Sequence, residues 1–296
     1  MSDAGSRAVA ITGANGYVGS TLCAAFAAAG YHVIALQRSA PVDKAWEHVP
    51  YTLENGPAAA LPEGLEAVVH CAYDLRARDR AEIERINLRG TEKLITAVGD
   101  VPIVFISSMS AYSGTRQIYG MTKLACEDLV AAHGGTSLRL GLVHGCGDGG
   151  MIGALRKVAA LPVVPILRPD SYQYAIHAED MANCVLATVK QPPPHRVLGV
   201  AAPRRVPFSE IIRTLRAAAT SKPLRPVPVS SALLYRTLRA GEAVGLRIGF
   251  RADSLLGLMH PAPDVPHVGY WAERSVKLRD FSNDAADLRH VERGAG

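Results

Sequence analysis

Apolar runs alternate with helix-period segments through the first half of the chain. Residues 8–12 form a short apolar run that predicts a buried strand. Residues 17–29 are rich in Ala and read as a helix that Gly30 stops. Strands are predicted at 33–36 and 67–72, with a weaker extended segment at 49–53. A long helix is predicted at 78–98, a strand at 103–107, a helix at 119–132 and a strand at 137–143. Strands and helices alternating at these lengths predict βαβ units and a parallel sheet.

The pattern loosens after Gly145. Residues 145–153 read as a glycine-rich loop, and 162–174 as an extended segment bearing prolines. A helix is predicted at 178–190, with a Pro-rich stop at 191–194. An amphipathic helix follows from Ser209, then Pro223, Pro226 and Pro228, then an apolar helix from Ala232. The tail beyond Val291 reads as frayed. The expected fold is α/β: a Rossmann-type doubly wound parallel sheet with a smaller C-terminal substrate-binding domain. The dinucleotide-binding domain is placed at 1–165, with 174–202 returning to it. The smaller domain is placed at 166–173 and 203–296.

With 48% apolar residues in 296, the chain can bury a sizeable core. The start has no basic stretch leading into a long apolar run, so no signal peptide is expected, and no membrane span is expected. Five scattered cysteines, without metal-ligand spacing, predict reduced packing residues in a cytoplasmic protein. The histidines show no metal spacing either, so no metal is expected. Charge is uneven. Residues 1–150 hold 12 Lys/Arg against 15 Asp/Glu, and residues 151–296 hold 20 against 12. A solvated arginine-rich surface explains this, and so does a preference for an anionic small-molecule substrate. No nucleic-acid motif accompanies the charge.

Thr12-Gly13-Ala14-Asn15-Gly16-Tyr17-Val18-Gly19 lies between the first strand and the first helix. A pyrophosphate must approach backbone N–H groups at a helix start, where the dipole favours anions. Gly13 permits the tight turn, Gly16 the close approach, and Gly19 close helix–strand packing. The second strand ends in Gln37-Arg38, where an NAD site usually places an acid for the ribose hydroxyls. A neutral residue followed by a cation favours NADP, with NAD remaining open.

Tyr119-Gly120-Met121-Thr122-Lys123 opens a helix, and residues four apart share one face. A neighbouring ammonium favours phenolate, which tunes a tyrosine for proton exchange. Ser107-Ser108 ends the strand upstream, where active-site residues of parallel sheets gather.

Together these segments resemble the extended short-chain dehydrogenase/reductase superfamily, in its epimerase/dehydratase branch. His70-Cys71-Ala72 looks like that family's fourth-strand end, which passes the cofactor. Asn87-Leu88-Arg89-Gly90-Thr91 is similar to its N-x-x-G-T helix. The segment from Ser107 to Tyr112 resembles S-S-x-x-V-Y and maps the catalytic serine onto Ser108. Tyr119 and Lys123 fall on the catalytic pair. Residues 139–147 resemble R-x-x-x-V-Y-G-P-G, with His144 at the tyrosine and Cys146 at the proline; Ile176-His177-Ala178-Glu179-Asp180 is similar to I-H-V-D-D.

The resemblance implies cofactor contacts by Gly13, Asn15, Gly16, Tyr17, Val18, Gly19, Arg38, Cys71, Ala72, Asn87, Lys123, Leu142 and His144. Lys123 would hold the nicotinamide ribose, Asn87 would support it from behind, and Ser108 would polarise the substrate oxygen. A homodimer is an analogy of the same kind. Two departures matter. Gln173-Tyr174-Ala175 stand where nucleotide-sugar members carry R-D-F/Y, whose arginine holds a diphosphate. Met109-Ser110 do not supply the Asp-Glu pair of a dehydratase.

The leading expectation is an NADP-dependent oxidoreductase acting on a ketone or secondary alcohol through Ser108, Tyr119 and Lys123. A sugar or nucleotide-sugar epimerase that oxidises transiently, and a non-catalytic dinucleotide-binding protein, are the alternatives. His70 and His177 read as packed residues, and Asp180 as a helix cap or anchor. His144 stays open as a catalytic group. Tyr172, Tyr174, Arg168, Arg204 and Arg205 are candidates for a substrate pocket or for packing.

Overall fold

The computed structural model describes residues 7–40, 46–75, 79–147, 149–166, 171–220, 222–244 and 251–281. In chain order the elements begin β1 (Ala8–Thr12), α1 (Tyr17–Ala28), β2 (His32–Gln37), β3 (Glu47–Thr52), β4 (Gly56–Pro57), β5 (Leu65–His70) and α2 (Arg80–Val98). They continue β6 (Ile103–Ser108), α3 (Ile118–Ala132), β7 (Thr136–Leu140), β8 (Leu142–His144), α4 (Gly150–Ala159), β9 (Val164–Ile166), β10 (Tyr172–Gln173) and β11 (Ala175–His177). The last are α5 (Ala178–Lys190), β12 (Val197–Val200), β13 (Val206–Pro207), α6 (Phe208–Ala219), β14 (Pro226–Pro228), α7 (Ser231–Ala243), α8 (Ala252–Met259) and α9 (Tyr270–Glu273). No described helix is long and apolar enough to cross a membrane.

Contacts divide the chain into two compact units. One runs to Ser108 and takes in Thr122–Arg139 and Ala182–Leu198; the other takes in Met109–Met121, Leu140–Met181 and the chain from Gly199. The first unit carries the eight-stranded sheet, ordered β12-β7-β6-β5-β1-β2-β3-β4. From β1 the chain steps outward through β2 and β3, then returns to the other side of β1 with β5 and β6, all in parallel pairing. The order therefore reverses between β1 and β5, the place where doubly wound sheets bind ligands beyond their strand ends. Strands buried on both faces read as continuous apolar runs, as in the fully buried Ala8–Thr12. Ile34, Leu36, Val68, Leu94, Ile103, Phe105 and Val130 belong to one core cluster.

The strand predicted at 137–143 is two strands, β7 and β8, broken at Gly141. There the chain changes partner: the Gly141 N–H bonds the Val200 carbonyl, the Leu142 N–H bonds the Tyr174 carbonyl, and β8 pairs with β11. A Cβ on Gly141 would stand 2.8 Å from the Tyr174 oxygen, so this exchange needs glycine. The loop predicted at 145–153 ends earlier, because α4 starts at Gly150 and buries Ile152 and Leu155. Its glycines concealed an amphipathic pattern. The strand predicted at 67–72 stops at His70, and the helix predicted from 78 starts at Arg80, with the Asp79 carboxylate accepting the Ala81 N–H as its cap. Arg168 and the tail beyond Val291 lie outside the described residues.

Candidate active site

The first unit builds the glycine loop around one threonine. Gly13 follows β1 with φ +65, a left-handed conformation that glycine adopts without steric cost. A Cβ there would stand 3.1 Å from the Ala72 Cα, so the loop passes close to the end of β5. Thr12 Oγ1 accepts the N–H groups of Cys71 and Ala72, each at 3.0 Å. With both acceptor positions used, its own hydrogen goes to His70 Nδ1 at 2.7 Å. The imidazole proton therefore sits on Nε2 and donates to Thr91 Oγ1 at 3.2 Å, whose hydroxyl donates to the Asn87 carbonyl. Burial, with the Lys123 charge adding to it, pushes the His70 pKa down to about 3. His70 is thus a neutral bracket that fixes the two strand ends on either side of the reversal.

Gly19 packs in the first turn of α1 beneath this loop. A Cβ there would overlap the Gly13 carbonyl far inside van der Waals contact. Gly16, the N-cap of α1, makes no side-chain cap bond, and the first turn carries no acid. A helix start of that kind suits a phosphate. Asn15 and Gly16 are exposed there, and Tyr17 and Val18 are half-buried. The cradle fits a dinucleotide pyrophosphate. Gly19→Ala is expected to weaken dinucleotide binding at least tenfold, read by titration of nicotinamide fluorescence; wild-type affinity would contradict it.

At the end of β2, Gln37 is buried and its amide donates to the Ser39 carbonyl at 2.8 Å, while Arg38 is exposed. Asn87 accepts the Asp74 N–H at 2.8 Å and donates to the Ile83 carbonyl, tying the stretch after β5 to α2. Cys71 and Ala72 are half-buried beside the loop.

Lys123 is buried, at 2% exposure. Its ammonium donates to the Ile106 carbonyl at 2.7 Å and lies over the rings of Phe105 at 4.5 Å and Tyr73 at 4.9 Å. Burial lowers its pKa to about 8, against smaller raising effects of Cys126, Cys71 and Glu127. Of the two serines ending β6, Ser107 is committed: it is buried and donates to Glu127, which also takes a bidentate bond from Arg139 at 2.6 and 2.9 Å. Ser108 is half-buried at the strand's last position.

In the second unit, Tyr119 is half-buried in the first turn of α3. The Asp253 carboxylate accepts the N–H of Ile118 at 2.8 Å and of Tyr119 at 3.2 Å. Nothing near Tyr119 in sequence signals this contact, because its partner is 134 residues away.

His144 is fully buried and pairs with His177 through β8 and β11. Its ring meets those of His177 at 5.4 Å and Phe281 at 4.9 Å, edge to face. Burial first, and His177 next, lower its pKa to about 4. Leu142 is half-buried at the start of the same strand. Asp180, in the first turn of α5, accepts the Arg279 N–H at 2.7 Å and its guanidinium at 2.8 Å. It anchors the late chain to the helix start.

The described pocket candidates of this unit bond other parts of the same unit. Tyr174 is buried; its hydroxyl donates to the Pro263 carbonyl at 3.2 Å and accepts from Arg205. Tyr172 donates to the Ala262 carbonyl, and Arg205 lies 4.7 Å over its ring. Arg204 pairs with Glu210 and Asp280. Arg216 is buried and donates to the carbonyls of Ala159 and Leu161. Arg204, Arg205 and Arg216 are therefore held by carboxylates or by carbonyl and hydroxyl oxygens of the protein itself.

Residues 9–199 match the family model described as the NAD dependent epimerase/dehydratase family. A curated relative, the ceramide reductase of Caulobacter vibrioides, is 31% identical over 194 residues, 62% of this chain and 61% of the relative. The match thus spans about three fifths of that relative's length. The UDP-N-acetylglucosamine 4-epimerase of Bacillus cereus superposes with a TM-score of 0.68 at 21% identity, over 98% of both chains. A human epimerase family protein solved with NADPH superposes with a TM-score of 0.70 at 19% identity, over 97% of this chain and 100% of its own. At such identities the likeness concerns the fold, whereas the family model covers well over half of the sequence. The chain belongs to the NAD dependent epimerase/dehydratase family.

Proposed function

We propose that this protein is an NADP-dependent reductase of a ketone, working reversibly on the secondary alcohol. The observation that carries the reading is Lys123: a buried ammonium with a pKa lowered to about 8, one helical turn beyond Tyr119 on α3. Burying an ammonium is costly, and a strongly shifted group beside a tyrosine is a mark of a functional site. Bound nicotinamide supplies or takes the hydride. Tyr119 gives the proton to the reacting oxygen, Ser108 hydrogen-bonds that oxygen, and Lys123 makes the phenol a better acid. The glycine loop holds the pyrophosphate by backbone N–H groups and the start of α1. Arg38, exposed beside the inward-turned Gln37, holds the 2′-phosphate. NAD remains the second cofactor choice. The segments 166–173 and 203–296 supply the substrate-binding part.

The substrate we propose carries no diphosphate. Tyr174 and Arg205 are tied to the Pro263 carbonyl, and Gln173 and Tyr174 occupy the stretch where the resembled nucleotide-sugar enzymes keep their arginine. The name of the Caulobacter relative, a reductase, supports the same reaction class. An epimerase remains the alternative on the family description alone.

The first test is to identify any nicotinamide retained after desalting, then titrate the empty protein. An empty protein that takes up NADPH at least tenfold more tightly than NADH is expected. Arg38→Ala should weaken NADPH about tenfold, the order of 1–2 kcal/mol for an exposed charge-assisted contact, and leave NADH unchanged. Tightly retained NAD, and product formed without net consumption of NADPH, would favour the epimerase.

A further inference from the structure

The start of the helix that carries Tyr119 is held by a residue distant in sequence. Thr115, Arg116 and Gln117 precede it, and the Thr115 hydroxyl accepts the Gln117 N–H at 3.4 Å. Gln117 is buried, and its Oε1 has no hydrogen-bond partner among the described residues. It lies instead against α8, where a Cβ on Gly257 would stand 2.7 Å from that oxygen. Gly257 therefore lets α8 come in close, and Asp253, one turn earlier on the same helix, reaches the start of α3. One carboxylate oxygen accepts the Ile118 N–H at 2.8 Å and the other the Tyr119 N–H at 3.2 Å. The start of α8 is held in turn by Glu242 of α7, whose carboxylate accepts the Ala252 N–H at 2.9 Å. Each of these two helix starts thus receives a carboxylate from another helix, where the dipoles favour negative charge.

We propose that Asp253 is the positioning residue for Tyr119: by gripping the Ile118 and Tyr119 N–H groups, it sets where the phenol stands. The proposal rests on the reading of Tyr119 as proton donor. Tyr119 is half-buried in the first turn of α3, so the placing of that turn's backbone sets where its phenol stands. An uncapped first turn frays, and an end that frays carries its side chains with it. Misplacing a reacting group by about 1 Å can cost on the order of 10²-fold in rate. The late chain, through α8, thereby takes part in turnover without touching the reacting atoms.

The test compares Asp253→Ala, Asp253→Asn and Tyr119→Phe in the full chain, measuring kcat, KM for the carbonyl compound, NADPH affinity and Tm. Asp253→Ala is expected to lower kcat about 30-fold, with NADPH affinity within about twofold of wild type. Asp253→Asn keeps one carbonyl oxygen for one of the two N–H groups and should recover part of the loss. Gly257→Val, which wedges α8 away from Gln117, should lower kcat in the same direction without removing the carboxylate. A wild-type kcat for Asp253→Ala overturns the proposal. So does a loss that comes with equally weakened NADPH binding and lowered Tm and is not relieved in Asp253→Asn, which marks a merely structural role. If Tyr119→Phe itself turns over normally, the reading of Tyr119 falls. If Tyr119→Phe is inactive and Asp253→Ala is normal, only the positioning role falls.

Discussion

Tyr119→Phe is expected to lower turnover by about 10²–10⁴-fold, the usual contribution of a positioned general acid. Dinucleotide affinity should be unchanged, because the variant keeps the ring, the helix and the backbone N–H that Asp253 accepts. The assay is NADPH consumption with a carbonyl compound that the wild-type protein reduces. Turnover within a factor of three of wild type would remove Tyr119 from the mechanism. The same assay carries a pH signature. Lys123 is protonated below its lowered pKa of about 8 and neutral above it. Its ammonium makes the neighbouring phenol a better acid, so the rate of reduction should fall as pH rises through about 8. Lys123→Met should abolish that limb and lower the plateau, since no charge is left to lose.

Arg139→Ala is expected to destabilise the fold by about 3–5 kcal/mol, the cost of leaving a buried partner charge uncompensated. Glu127 is buried, and Arg139 supplies both strong bonds to its oxygens at 2.6 and 2.9 Å. In a chain of this size such a loss lowers Tm on the order of 10 °C. Removing both charges with Arg139→Met and Glu127→Leu should recover much of it, because apolar groups of similar volume often match a buried ion pair. Recovery will be incomplete, since the buried Ser107 hydroxyl then loses its acceptor. A Tm drop under about 3 °C for Arg139→Ala would show that the pair contributes little. Calorimetry or denaturant unfolding decides it. The pair ties α3 to β7, so it bears on the helix that carries Lys123.

The first βαβ units were legible because their physics is local. A run such as Ala8–Thr12 can only be buried, and a glycine at residue 13 followed by a helix pattern has few other uses. Ser108, Tyr119 and Lys123 were legible as spacing on a strand end and a helix face. Errors began where a residue's meaning depended on a distant partner. The strand read across 137–143 breaks because Gly141 must face Tyr174 and Ala201, and nothing within the segment says so. The helix starting at Gly150 was lost in a run of glycines whose amphipathic partners come from elsewhere.

The sequence by itself determined the family fold, the glycine turn between β1 and α1 that we propose binds phosphate, and the spacing of the candidate catalytic set. Each is written in short spacings that backbone geometry converts directly into position. Only the tertiary structure decided what the arginines of the late chain do, that Ser107 rather than Ser108 is bound to Glu127, that His70 is a neutral bracket, and that Asp253 grips the start of α3. Those assignments are hydrogen bonds between residues up to 135 positions apart, as between Ile118 and Asp253. A hydrogen bond needs donor and acceptor within about 3 Å, a condition that spacing along the chain cannot express and that folding alone fulfils.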